Sequence, residues 1–203
     1  TVSNSNIPSN TFFISKSKFT TKRIPIWLNC VFCWSLLNLI MDFEVLFKKL
    51  DENDVRYLIC GGLAVNLYGV TRMTADIDLL LDLTVDNIQQ FQSVIRALNF
   101  FPVLPLPMKL LADDIKRLSL IEEKNLIAYS FYNSVKGFMN IDVIIGIPNS
   151  FDELWKRKET RTIDDYLIYI LSIEDLIKLK EFANREQDKN DILMLRKMQN
   201  DRK

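Results

Sequence analysis

From Met41 onward the chain alternates short β-type runs with stretches of helical periodicity, and this alternation restricts the fold more than any other feature. Phe43, Leu46, Phe47 and Leu50 recur at helical spacing. Val55–Cys60 is a β-type run ending at Gly61-Gly62, and Leu63–Tyr68 is a short helix closed by Gly69. Ile77–Leu81 is a strongly apolar strand. Thr84 is placed to cap a helix carrying Val85, Ile88, Phe91, Ile95 and Leu98. Pro102, Pro105 and Pro107 mark a loop, and a helix is expected over Met108–Leu120. Leu126–Tyr132 and Met139–Ile145 read as two strands joined by a turn around Asn133–Gly137. Phe151–Lys158 reads as a helix and Tyr166–Leu171 as a strand. Ser172-x-x-Asp175 opens another helix in capping-box style, and a last helix covers roughly Asp188–Met198. The pattern predicts an α/β (α+β) domain, a central mixed sheet flanked by helices, with further helices at the C-terminus.

Residues 1–40 read differently. Thr1–Asn10 is polar, and Lys16, Lys18, Lys22 and Arg23 precede an apolar run from Ile24 to Met41 broken by Pro25, Asn29, Ser35 and Asn38. The run is short for a membrane span and carries polar breaks. The first Met is Met41, directly before the clean helical pattern. Residues 1–40 are therefore expected to be an extension outside a domain over 41–203. A membrane anchor and a packed N-terminal helix are the alternatives.

The chemistry open to the chain is limited by what it lacks. Its 203 residues contain no histidine, which removes the commonest general base and the commonest zinc ligand. Catalysis would have to run on carboxylates, Lys, Tyr, Ser or Cys. Cys30 and Cys33 form a C-x-x-C inside an apolar run with no second pair, so zinc is not expected. Three cysteines without a framework suit a reducing, cytoplasmic compartment. Lys plus Arg equals Asp plus Glu at 26 each, so no global positive field advertises a nucleic-acid partner.

The segment that carries chemistry runs from Gly61 to Leu79. Strand side chains alternate, so Asp76 and Asp78 share one face while Ile77 and Leu79 take the other. Two carboxylates held so close repel one another unless a cation lies between them, and oxygen ligands on a rigid strand suit Mg²⁺. Read alone, this Asp-x-Asp is also compatible with a solvated strand edge. Gly61-Gly62 follows a strand and opens a helix, a turn at which backbone N–H groups can approach a triphosphate. Read alone, it is equally a tight strand-to-helix turn.

A Gly-Gly turn, thirteen intervening residues, then Asp-x-Asp on an apolar strand resembles the signature of the polymerase-β nucleotidyltransferase superfamily. The longer string Gly-Gly-Leu-Ala-Val-Asn-Leu-Tyr-Gly, then Arg72-x-Thr74-x-Asp76-x-Asp78, resembles its minimal bacterial branch, similar to AbiEii-like abortive-infection toxins of type IV toxin–antitoxin systems. The resemblance implies a third carboxylate on a later strand, and Asp142 within Met139–Ile145 is the match. Asp76, Asp78 and Asp142 are then the expected metal-binding and catalytic acids, with Mg²⁺ or Mn²⁺ as cofactor. Gly61, Gly62, Arg72 and Thr74 are the expected nucleotide-binding residues. Arg72 could instead pair with an acid, and Thr74 could orient the turn.

The C-terminal helices add to this. Lys180 falls in the middle of the apolar stripe Ile173, Leu176, Ile177, Ala183, while Lys178 points away. Asp188 and Asp191 share a stripe with Ile192, Leu195 and Met198 on the next helix. This pattern also resembles the branch. It puts Lys180 and Arg185 either near nucleotide phosphates or in a helix–helix clamp. Phe100, Phe101, Phe131 and Tyr132 are expected in the core rather than as stacking platforms. The expected reaction moves an NMP from an NTP to an acceptor hydroxyl of a tRNA end, a protein or a small molecule, in a toxin–antitoxin setting with an antitoxin partner. The alternative is a catalytically silent nucleotide-binding or interaction protein of the same fold.

Overall fold

The computed structural model describes residues 43–74, 76–135 and 140–201. The expected N-terminal extension over 1–40, with Cys30 and Cys33, and the tip of the turn near Gly137 lie outside the described residues. Among the described residues, no helix is long and apolar enough to cross a membrane.

Helix α1 spans residues 43–52 and buries Leu46, Phe47 and Leu50, the helical stripe read from the sequence. The chain then forms β1 (Tyr57–Ile59), α2 (Gly61–Leu67), β2 (Asp76–Leu81), α3 (Val85–Ala97) and β3 (Phe100–Pro102). A 3₁₀ turn (Met108–Ala112) leads into α4 (Asp114–Lys124), β4 (Ala128–Asn133) and β5 (Asn140–Ile144). The C-terminal part is α5 (Phe151–Lys156), β6 (Glu159–Ile163), β7 (Tyr166–Ile170), α6 (Ile173–Ala183) and α7 (Glu186–Asn200). The strands form one mixed sheet in the order β3-β4-β5-β2-β1-β7-β6. β2 is central, antiparallel to β1 and parallel to β5.

The two faces of the sheet differ because the strands alternate. Ile77, Leu79, Ile141, Val143, Tyr129 and Phe131 point to one side and are fully or almost fully buried. Helix α3 packs there, with Phe91 edge-on to Phe131 at 5.8 Å between ring centroids. Each such buried side chain contributes about 1.5–3 kcal/mol, so this dry layer fixes the register of β2 against β5. The opposite side of β2 and β5 carries Asp76, Asp78, Asn140 and Asp142. A one-residue slip would bury those acids and expose the apolar layer.

Three elements depart from the sequence reading. The single helix expected over Met108–Leu120 is broken at Asp113, whose carboxylate accepts from the N–H groups of Ile115 and Lys116 and so starts a new helix. Strand β3 was expected as loop because Pro102 sits in it. It is a three-residue edge strand, where a missing N–H costs little. Strand β6 is polar and was not expected. It is held by a hairpin to β7, turning at Asp164 with φ +49°. At the start of α6, Ser172 caps as the sequence implies. Its Oγ accepts from the Asp175 N–H at 3.2 Å, and its hydroxyl donates to Asp175 Oδ2 at 2.9 Å.

Candidate active site

The acids lie in a row on one face of two hydrogen-bonded strands. Asp78 is the register partner of Asp142, and Asp76 that of Asn140. Neighbouring strands run about 4.8 Å apart, so the Asp78 and Asp142 carboxyl groups start from adjacent positions on the same side. All three acids are half-buried. Asp76 is drawn sideways, because the Asn140 amide donates to its Oδ1 at 3.2 Å. As placed, no three Asp, Glu or Cys side chains among the described residues converge as a metal-ligand set.

Asp78 is the most constrained of the three. Burial pushes its carboxyl above the ordinary range, and the neighbouring charges of Asp142 and then Asp76 push it further. The Gly62 N–H, which bonds it, and the charge of Lys180 work the other way. The Cys60 thiol beside it is fully buried, and burial, followed by the field of Asp78, raises it well above its usual value. The donors available to a cation here are thus carboxylate and amide oxygens. A hard divalent ion such as Mg²⁺ or Mn²⁺ fits that set, and a thiolate-seeking ion does not.

The glycine turn is built against this carboxylate. Gly61 has φ +58°, and a Cβ there would lie 1.7 Å from Asp78 Oδ2. A Cβ on Gly62 would lie 2.7 Å from Thr74 Oγ1. Both glycines are therefore required by close approach, and Gly61 also by its backbone conformation. Gly61→Ala is expected to lose about 1–2 kcal/mol from the left-handed conformation alone, with more from displacing Asp78. Urea denaturation measures this, and a variant as stable as the wild type would contradict the packing.

The loop before β2 is pinned by Asn66. Its Oδ1 accepts from the Arg72 N–H at 3.0 Å, and its Nδ2 donates to the Arg72 carbonyl at 3.0 Å. Thr74 Oγ1 donates to the Asp76 carbonyl at 3.3 Å. The Arg72 guanidinium reaches across to Asp191 Oδ2 at 2.5 Å. Lys180, 5% exposed, donates to Asp188 Oδ1 at 3.0 Å and to Asp191 Oδ2 at 2.8 Å. Two cations and two carboxylates thus form one network, buried at Lys180, Asp188 and Asp191 and partly exposed at Arg72, that joins the β2 loop, α6 and α7. Of the two roles left open for Lys180, these contacts are those of the helix–helix clamp, and Arg72 joins it.

A cavity of about 350 Å³ opens beside Asp78. Cys60, Gly61 and Asp78 line it together with Lys180, Arg185 and Asp188. The remainder is mainly apolar, from Ile127, Ile144, Leu176, Leu179 and Phe182. Of the residues singled out in the sequence, Gly61, Asp78, Lys180 and Arg185 line this cavity, whereas Asp76, Asp142, Gly62, Arg72 and Thr74 do not. Sequence reasoning missed Asn140, which holds Asp76, and Ser130, the register partner of Asp142 on β4. The alternation of β4 and β5 was their only signal.

No protein-family model matches the chain, and no curated protein matches it in sequence. Among solved structures, it is similar to the antibiotic-resistance factor ANT(2'')-Ia, at 13% identity over 78% of this chain and 83% of that one, with a TM-score of 0.49. It is also similar to the lincosamide antibiotic adenylyltransferase LnuA, lincomycin-bound, at 19% identity over 81% and 96%, with a TM-score of 0.47. A third is an antigenic nucleotidyltransferase-like protein from Paracoccidioides brasiliensis, at 19% identity over 77% and 74%, with a TM-score of 0.49.

Proposed function

We propose that this chain is a metal-dependent nucleotidyltransferase of the polymerase-β type, its domain spanning 41–203 with residues 1–40 outside it. The observation that carries the reading is the row of Asp76, Asp78 and Asp142 on one face of two in-register strands, set directly against a glycine turn. The nucleoside of an NTP would occupy the 350 Å³ cavity, which falls within the range of small-ligand sites. Its phosphates would lie toward Gly61, Gly62 and Thr74, with Arg185 at the rim. Lys180 and Arg72 would act by holding the loop and lending positive field, since aspartates already engage them.

Asp76, Asp78 and Asp142 would hold Mg²⁺ or Mn²⁺, with Asp76 leaving the Asn140 amide to close the set. When bound, the ion supplies charge neutralisation at the transferring phosphoryl group. The acceptor oxygen attacks the α-phosphorus, the bond from that phosphorus to the bridging oxygen breaks, and pyrophosphate leaves. Asp142 takes the acceptor's proton. The absence of histidine is no obstacle, because positioning and electrostatics dominate such transfers.

The motif string further suggests the AbiEii-like branch, with a toxin–antitoxin role, a cytoplasmic setting and an antitoxin partner. A second reading, a catalytically silent NTP-binding protein, draws on the Asp76–Asn140 bond. Incubation with α-labelled NTPs, Mg²⁺ or Mn²⁺, and separate pools of RNA, protein and small molecules tests both. Label entering one pool supports transfer, and loss of that label in Asp76→Ala ties it to these acids. Calorimetric NTP binding with no labelled pool supports the silent reading, and undiminished transfer by Asp76→Ala refutes the assignment of the acids.

A further inference from the structure

The face of the sheet that carries the acids does not end at them. Asp76, Asn140, Tyr132 and Phe101 are successive register partners across β2, β5, β4 and β3. Directly paired residues on adjacent strands share a face, so the two rings stand on the same side as the carboxylates. They were expected in the core, yet Tyr132 is 44% and Phe101 40% exposed, while their neighbours Phe100 and Phe131 are buried. The pattern corrects that expectation: Phe100 and Phe131 fill the dry face, and the alternate residues emerge on the other. The two exposed rings lie 6.3 Å apart, tilted by 39°, and form one platform.

Strand β5 orders the surface. On this face it reads Asn140, Asp142, Ile144. Ile144 lines the cavity, Asp142 is the acid, and Asn140 leads to the rings. The platform therefore lies at the end of the acid row opposite the cavity. Phosphoryl transfer runs with the attacking and leaving oxygens roughly in line. Across the sheet, β1 and the glycine turn flank β2 on one side and β5, β4 and β3 on the other, so a hydroxyl attacking opposite phosphates held at the turn would come from the platform side, where Tyr132 is diagonal to Asp142 at about 7–8 Å.

We infer that Tyr132 and Phe101 form the acceptor subsite, and that the acceptor is a small, phosphate-free molecule that stacks a ring on this platform and presents a hydroxyl to Asp142. This rests on the nucleotidyltransferase reading for the reaction but on exposure and register for the binding. The charge around the platform selects against nucleic acid. The row holds Asp76, no Lys or Arg among the described residues stacks on either ring, and the chain is neutral overall. A phosphodiester backbone laid across the rings would run toward the Asp76 carboxylate rather than toward a basic patch.

Saturation-transfer NMR on the full chain can test the subsite without any turnover, using phenyl glucoside as a ring-bearing polyol, mannitol as an open-chain one, and a short RNA with a free 3′ hydroxyl. Phenyl glucoside is expected to bind and mannitol not. Tyr132→Ala should weaken phenyl glucoside binding roughly fivefold to tenfold, the loss of one stacked ring, while Tyr132→Phe retains it. No phenyl glucoside binding to the wild type, equal binding to Tyr132→Ala, or tighter Tyr132-dependent binding of the RNA would each overturn the proposal. Ring binding in a protein that transfers no nucleotide would instead sink the function reading and leave the platform standing. Where transfer is observed, Tyr132→Ala should raise the acceptor KM with little change in the NTP KM. An unchanged acceptor KM would remove the platform and leave the reaction.

Discussion

Asp78→Asn is expected to lose nucleotide transfer by roughly 10³-fold, the order lost when one electrostatic contributor is taken from a transition state, while melting higher than the wild type in metal-free buffer at neutral pH. The two effects share one origin. Burial and then the charges of Asp142 and Asp76 raise the Asp78 carboxyl above its ordinary value, so the folded chain holds that proton more tightly than the unfolded chain does. Ionising the group therefore costs stability, and the cost grows as pH climbs out of the ordinary carboxylate range. Asparagine keeps an oxygen for the Gly62 N–H and carries no charge. Melting curves at about pH 4 and about pH 8, without metal, should show the variant's advantage widening with pH. Mg²⁺ should then stabilise the wild type more than the variant, because an ion that binds only the folded state raises its stability by mass action. Transfer within tenfold of wild type would show that Asp78 is not needed for the reaction, and a variant less stable at both pH values would show that Asp78 is not strained by its neighbours.

The same residues show how far a sequence can be read. Asp76, Ile77, Asp78 and Leu79 could be assigned to opposite faces from alternation alone, because β2 is buried behind and open in front. Gly61 and Gly62 were legible as a turn, but not that Asp78 would rest on Gly61, which depends on pairing 17 residues along the chain. Phe101 and Tyr132 were misread because a Phe-Phe or Phe-Tyr pair in a strand always sends one ring each way. Composition favours the core for both, and only the order of strands leaves one face bare at β3 and β4. Strand β6 escaped because its polar residues gain their pairing from β7 rather than from burial. The break at Asp113 was hidden because the helical spacing continues across it, and only the side-chain cap separates the two pieces.

Lys180→Met should destabilise the fold by roughly 3–5 kcal/mol, the usual cost of leaving buried carboxylates without their cation. The methionine fills the space of the lysine stem, so the loss is not one of volume. Asp188 is 8% and Asp191 5% exposed, and Lys180 bridges both. Without it, Arg72 alone faces Asp191, and Asp188 keeps only the Arg185 backbone N–H at 3.3 Å. The excess charge is one, and it sits on Asp188. Adding Asp188→Asn removes that excess, so Lys180→Met/Asp188→Asn should recover more than about 1 kcal/mol relative to Lys180→Met. Adding an exposed change such as Glu181→Gln instead should recover nothing. Urea midpoints with unchanged slopes would report this as coupling within a two-state transition. The series also separates the two roles written for Lys180. If its charge serves only the clamp, the double variant regains stability together with NTP affinity. If it also serves the phosphates, stability returns and affinity does not. A Lys180→Met protein that loses under 1 kcal/mol would mean that water reaches Asp188 and Asp191, and that the network joining α6, α7 and the β2 loop does not hold them together.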